Sequence, residues 1–484
     1  MTKSTGRAVV TILAIMGSVA ATAARAQSDP AERCEALRNF GMDAAYVTST
    51  RVMAATEALP AYCEVRATAL PSISIETRLP LENWNGKFYQ TGCGGWCGVL
   101  GRADAGGRFV NAMGPGLARG YATATSDSGH HGLSVVDADW ADANPNAERD
   151  WGWRAIGETY RVAHAVIAEF YGEASGDSIF QGCSTGGRLA HMATQRYPEN
   201  YQGIISGAPA MNETGLAGAA LAWLVKANTG PGGEPILKPG KDGLIGDEVM
   251  RQCDGLDGAE DGLIADPRMC KPDASTLLCK GDTDSGQCLT QAEIDVVTTW
   301  YRPPVNAAGE ELYPGGTPAG SEPFWWLWLT GKEGGAPPLN PQFAKSYGAY
   351  LAFEHDPGPE WDPADFDFDK DPARMAKAEA MFNADSPDIA KFREAGGKMI
   401  VWHGWADAIV TPFQTVAWHE AAQAAAGGPE ALAENVQLFM IPGMDHCGIL
   451  PGPGGIVMES IDPLTALEHW METGEAPKSI MKDN

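Results

Sequence analysis

Five residues restrict this chain more than any others: Gly182-Cys183-Ser184-Thr185-Gly186. The pentapeptide fits G-x-S-x-G. It follows an apolar, strand-like run at 178–181 and precedes a helix-like run at about 187–196. A serine on a sharp turn between strand and helix is lifted above the edge of a sheet. The flanking glycines permit the turn, and the new helix aims free N–H groups at whatever reacts there. Ser184 is therefore the candidate nucleophile, against the blander alternative of a glycine-rich turn.

The surrounding pattern predicts what carries that turn. From about residue 76 to 210, strand-like and helix-like runs alternate: strand chemistry at 87–90 and 120–125, a helical period over 153–170, and a buried strand at 203–206. Alternation returns with strands at 399–402 and 436–440 and a closing helix at 464–471. Such alternation predicts a largely parallel sheet with helices on both faces, an α/β-hydrolase fold. Its catalytic domain would comprise residues 27–210 and 386–484. Between them, Gly, Pro, Asp and Trp become frequent and the periodicity breaks, so residues 211–385 are expected to form a large inserted lid domain.

A serine hydroxyl needs a base, and the base needs an acid behind it. In this fold the order is Ser, then Asp, then His, each just past a strand. Asp407 follows the strand at 399–402, and His446 follows the strand at 436–440. The rivals fit less well. His130 and His131 precede the serine, His403 comes too early after its strand, and Asp445 stands beside the histidine rather than behind it. For the oxyanion hole, Thr185 supplies one backbone N–H, and the glycine-rich loop 92–97 supplies another, with Gly94 favoured.

The ten cysteines fit an oxidising compartment. Cys253/Cys270 and Cys279/Cys288 are local pairs, and Cys34/Cys63 and Cys93/Cys97 are further ones, although sequence fixes none of them. Cys183 and Cys447 remain, one immediately before the nucleophile and the other immediately after the histidine. A bridge between them would clamp base and nucleophile together. The N-terminus reads as an export signal over residues 1–26: Lys3 and Arg7, then an apolar stretch, then Ala24-Arg25-Ala26. That stretch is shorter than the roughly 20 residues that span a bilayer. The expected location is secreted or periplasmic, and no membrane span is expected. The formal charge is −27, or −30 without Lys3, Arg7 and Arg25. Such a surface repels phosphate backbones, so no nucleic-acid partner is expected, and a monomer is.

In the insertion, the run 253–263 places Asp254, Asp257 and Asp261 among glycines. Hard oxygens on a bent loop suit calcium better than zinc. The expected ligands are those three carboxylates and the carbonyls of Ala259 and Leu263, with a stiffening role. The aromatic block Phe324-Trp325-Trp326-Leu327-Trp328 offers Trp325, Trp326 and Trp328 as substrate-binding candidates, although rings like these more often form a lid's own core.

Taken together, Cys183-Ser184, Asp407 and His446-Cys447 resemble the signature of the tannase and feruloyl esterase family, which includes mono(2-hydroxyethyl) terephthalate hydrolases. Tyr62-Cys63, Trp84-Asn85-Gly86-Lys87-Phe88, Gly94-Gly95, the run from Ser126 to His130 and the aspartates from 254 to 261 match as well. The resemblance implies an α/β-hydrolase domain with a large lid, a calcium ion in it, a Cys183–Cys447 bridge, and hydrolysis of aromatic-acid esters of small molecules. The pair Cys93/Cys97 departs from members that carry a further pair near the C-terminus. Two other readings stay open: a serine peptidase of the same fold, and a non-catalytic, calcium-stabilised binding protein.

Overall fold

The computed structural model describes residues 29–100, 112–132, 134–281 and 286–482. The export signal expected over residues 1–26 lies outside them. A ten-stranded sheet organises the chain, in the order β1-β2-β3-β4-β6-β5-β7-β8-β9-β10. Its first edge is antiparallel: β1 (Gly41–Met42), β2 (Ala45–Met53), β3 (Tyr62–Ala69) and β4 (Ile73–Pro80), with β4 also antiparallel to β6. From there the sheet is parallel through β6 (Ala122–Ser126), β5 (Phe88–Thr91), β7 (Ser178–Cys183), β8 (Gly203–Gly207), β9 (Lys398–Gly404) and β10 (Val436–Ile441). This is the α/β-hydrolase fold. The parallel half follows the sequence pattern, and the antiparallel edge is additional to it.

The strand period of two decides which face each apolar residue serves. Phe180, Ile204, Met399 and Val401 point into one buried cluster with Leu189, Ala190 and Met192 of helix α2 (Thr185–Arg196). Their neighbours Ile179, Ile205, Ile400 and Trp402 point into another, packed by Leu464, Leu467 and Trp470 of helix α4 (Pro463–Thr473). Helix α1 (Ala155–Tyr171) packs Val162, Val166 and Ile167 against the antiparallel part. It ends on Gly172 with φ 79°, a left-handed cap that favours glycine. Helix α3 (Pro412–Ala426) follows β9.

Between Gly207 and Lys398 no described residue joins the sheet. This stretch folds as helices, short turns and loops. Its large buried rings, among them Trp300, Tyr313, Trp325 and Tyr347, belong to the same cluster as Phe180 and Met399. The insertion therefore shares one core with the sheet. Five disulfides form: Cys34–Cys63, Cys93–Cys97, Cys183–Cys447, Cys253–Cys270 and Cys279–Cys288. No cysteine is left free.

Candidate active site

Ser184 sits between β7 and α2 with φ 63° and ψ −126°, left-handed backbone that a serine adopts only where its surroundings enforce it. The enforcement is visible. The Ser184 N–H donates to Gly207 O at 3.0 Å, and its carbonyl accepts from Arg188 and Ala210. Gly182 passes so close to Gly186 that a Cβ would collide with its backbone. Thr185 opens α2, so its N–H is one of those that the helix leaves unsatisfied.

The turns after β9 and β10 are joined by backbone bonds, Trp405 N–H to Ile441 O at 2.8 Å and Ala406 N–H to Met444 O at 3.0 Å. That joint brings Asp407 and His446 together. Asp407 Oδ2 accepts from His446 Nδ1 at 2.6 Å, and its Oδ1 accepts the N–H groups of Ile409 and Val410 at 3.0 and 2.9 Å. Burial alone would raise the Asp407 carboxyl, but the His446 and His403 imidazoles outweigh it and bring it down to about 2. Asp407 is thus a fully buried carboxylate held ionised.

His403, set aside on sequence order, is the second imidazole on that carboxylate. Its Nε2 lies 3.0 Å from Asp407 Oδ2 and 2.9 Å from Val410 O, two acceptors that together require a proton on Nε2. Its Nδ1 meets Thr415 Oγ1 at 2.8 Å. The spacing His403-x-x-x-Asp407 just past a strand was the available signal. Asp445, the rival acid, is turned away: its oxygens accept from Leu450 N–H at 3.2 and 3.3 Å. His130 braces the 92–97 loop instead, through Nε2 to Trp96 O at 2.7 Å, and stacks on Trp140 at 3.6 Å.

Cys183 and Cys447 are bonded, with their Cα atoms 6.1 Å apart. Ser184 and His446 line one cavity of about 280 Å³. Its wall includes Trp96, Leu216, Leu221, Trp328, Phe343 and Ile409. In the early loop Gly95 and Trp96 line the cavity, whereas Gly94 does not; the Gly94 carbonyl accepts from Cys97 N–H at 3.1 Å. Trp328 meets the His446 ring edge-on, with centroids 5.3 Å apart. The other two tryptophans lie elsewhere. Trp325 is buried against Trp300 and donates to Ser321 Oγ, and Trp326 is half-buried under the Lys332 ammonium. The insertion residues Leu216, Leu221 and Phe343 were not foreseen as cavity walls.

The residues proposed for calcium do not gather. Asp254 Oδ1 accepts from Asp261 and Gly262 N–H, Asp257 from Ala259 and Ala265 N–H, and Asp261 from Leu263 N–H. Among the described residues no three metal-ligating side chains cluster. The all-oxygen donor set suits calcium, but the carboxylates as placed are turned onto the loop's own amides.

The family model for tannase and feruloyl esterase matches residues 55–483. This chain belongs to that family. It is a carboxylic ester hydrolase. An uncharacterized esterase of Xanthomonas campestris pv. campestris is 32% identical over 461 residues, covering 88% of this chain and 78% of that protein. The mono(2-hydroxyethyl) terephthalate hydrolase of Piscinibacter sakaiensis is 30% identical over 521 residues, covering 92% and 84%. The crystal structure of feruloyl esterase B from Aspergillus oryzae superposes with a TM-score of 0.80 at 25% identity, covering 93% and 92% of the two chains. Family members act on small esters. The five disulfides suit an oxidising compartment, and no helix among the described residues is long and apolar enough to cross a membrane.

Proposed function

We propose that the protein is an exported serine esterase that cleaves esters of aromatic acids (feruloyl, galloyl or terephthalate monoester) through Ser184, His446 and Asp407. One observation carries this reading: the Ser184 turn and the Asp407–His446 pair meet at a single, largely apolar cavity, with a disulfide joining the neighbours of the two reacting residues.

With Nδ1 engaged by Asp407, His446 turns Nε2 to the serine. It takes the Ser184 proton as the hydroxyl attacks the ester carbonyl, and the Asp407 charge stabilises the imidazolium that forms. The developing oxyanion is held by the Thr185 N–H and by the 92–97 loop, either Gly94 or its cavity-lining neighbour Gly95. His446 returns the proton to the departing alcohol, and water then clears the acyl-enzyme by the same route. His403 orients Asp407 from behind. Residues 211–385 serve as the lid and supply much of the cavity wall, Trp328 included. An apolar wall suits an aromatic acyl group and excludes water from the acyl-enzyme.

Calcium belongs to this proposal as a stiffening ion that the oxygen donors of Asp254, Asp257 and Asp261 and the carbonyls of Ala259 and Leu263 would hold. Leu263 packs on Gly443 in the turn that leads to His446, so order in this loop bears on the histidine. Calorimetric titration of the chelated protein with Ca2+ tests the site, and the absence of binding heat removes it. The function itself is tested by a panel of ferulate, gallate, terephthalate monoester and p-nitrophenyl acetate substrates, with fluorophosphonate labelling mapped by peptide mass. Label on Ser184 together with turnover of the aromatic esters is expected. A protein that labels elsewhere, or cleaves peptides in preference, refutes the reading.

A further inference from the structure

The cavity beside Ser184 has one conspicuous polar interruption. Glu213 lies on its wall, at the start of the π-helical segment Thr214–Ala220, and is only 1% exposed. Its Oε2 has no hydrogen-bond partner among the described residues. The nearby groups that act on it leave it that way. The Arg188 guanidinium spends its Nη atoms on the carbonyls of Trp151, Gly152 and Phe382 and stacks on the Trp151 ring. The buried phenols of Tyr313 and Tyr347 have unpaired hydroxyls of their own. Burial, partly offset by the Arg188 charge, pushes the Glu213 carboxyl up to about 7. No Lys or Arg lines the cavity among the described residues.

A buried acceptor without a donor is unfavourable until something supplies the donor. As placed, neither the Arg188 Nε nor the Tyr313 and Tyr347 hydroxyls, all unpaired themselves, donate to it, so a ligand entering the cavity is a further source of the donor. We propose that Glu213 is a specificity-determining residue whose carboxyl accepts a hydrogen bond from a ring hydroxyl of the acyl group. The cavity then selects esters of hydroxylated aromatic acids. It disfavours acyl rings without a hydroxyl, which leave the carboxyl unsatisfied. It disfavours terephthalate monoesters more, because their second carboxylate meets Glu213 with no cation on the wall to offset it. This inference rests on the esterase reading above and narrows its substrate class.

The test compares kcat/KM for methyl 4-hydroxycinnamate, methyl cinnamate and mono(2-hydroxyethyl) terephthalate on the full-length mature protein. Wild type should prefer the phenolic ester over methyl cinnamate by roughly 10- to 100-fold, with the terephthalate monoester lowest. Glu213→Leu should bring the two cinnamates within about threefold of each other and raise the terephthalate monoester relative to methyl cinnamate. Glu213→Gln keeps a carbonyl acceptor and should retain part of the phenolic preference while relieving the rejection of the anion. Each ratio is taken within one preparation, so a loss of folded enzyme cancels. Equal kcat/KM for the two cinnamates in wild type overturns the inference even if neither variant folds, as does a folded variant with the wild-type ratio. A wild type that hydrolyses none of these esters, nor p-nitrophenyl acetate, instead sinks the esterase reading on which the inference rests.

Discussion

The ends of the parallel strands and the inserted segment build the same cavity by different means. At the strand ends, position is set by backbone. Ser184 is fixed by hydrogen bonds to Gly207 and Ala210, Asp407 and His446 by the bonds joining the turns after β9 and β10, and the two halves by Cys183–Cys447. In the insertion, position is set by side-chain packing. Trp328, Leu216 and Phe343 reach the cavity from helices and turns that no strand anchors. The contrast teaches a division of labour. Changes at the strand ends should alter turnover of every ester alike, and changes in the insertion should alter which ester is preferred.

The largest expected effect tests the first half. Ser184→Ala should lower kcat by on the order of 10⁵ for all esters while the melting temperature stays near that of wild type. Asp407→Asn should cost roughly 10³- to 10⁴-fold, because an amide cannot accept from the two imidazoles at one end and from the Ile409 and Val410 N–H groups at the other, and so loses hold of the His446 tautomer. Unequal losses across a substrate panel for either variant would blur the division. Retained turnover in Ser184→Ala would end the assignment.

How far each region could be read from sequence follows the same division. A backbone-determined turn leaves short, ordered traces: Gly182 to Gly186, then Asp407 past one strand and His446 past the next, with cysteines adjoining two of the three. Packing leaves no such trace. Trp325, Trp326 and Trp328 lie on one short turn, and successive helical residues point about 100° apart, so one ring enters the core, one lies under Lys332 and one meets His446. The π-helical stretch Thr214–Ala220 departs from the 3.6-residue period, so Leu216 and Leu221, five residues apart, do not read as one face from the sequence. His403 was hidden for a different reason: chain order identifies the base, but says nothing of a second imidazole folded onto the same carboxylate. Glu213 carries no motif at all, and only its burial on the cavity wall makes it conspicuous.

The disulfides offer a sharper comparison. Replacing both Cys183 and Cys447 with Ser opens a loop with a sequence separation of 264, whereas replacing Cys279 and Cys288 opens one of 9. In the chain-entropy model the first bridge is worth about twice the second, on the order of 5 kcal/mol against 2–3. Melting under non-reducing conditions should therefore drop by roughly 5–10 °C for the first pair and about half that for the second. Only the first should also lower turnover. Equal activity losses would mean that the insertion, too, positions the reacting groups.

Within the insertion, Trp328→Ala should raise KM for aromatic esters by roughly 3- to 10-fold, the scale of a lost aromatic edge contact, with a smaller change for an acetyl ester. Trp325→Ala should instead lower the melting temperature and leave the preference between the two esters alone, since that ring packs on Trp300 away from the cavity. A shift in preference from Trp325→Ala alone would reverse the roles of the two rings.

The smallest effect concerns what backbone placement costs at the strand ends. Asp445 is carried into the interior by the turn that delivers His446, where its carboxyl accepts from the Leu450 N–H. Burial, partly offset by that N–H and then reinforced by the negative Asp407, pushes its carboxyl up to about 8. In the unfolded chain the value is about 3.9. The folded state therefore holds this proton more tightly, and the stability it contributes is fully present below about pH 4 and is lost as pH rises toward 8. Asp445→Asn has no proton to lose and keeps a carbonyl for Leu450. Its melting temperature, taken relative to wild type, should climb by a few °C between pH 4 and pH 8. Parallel melting curves across that window would show that Asp445 is better solvated, or better paired, than its place beside His446 implies.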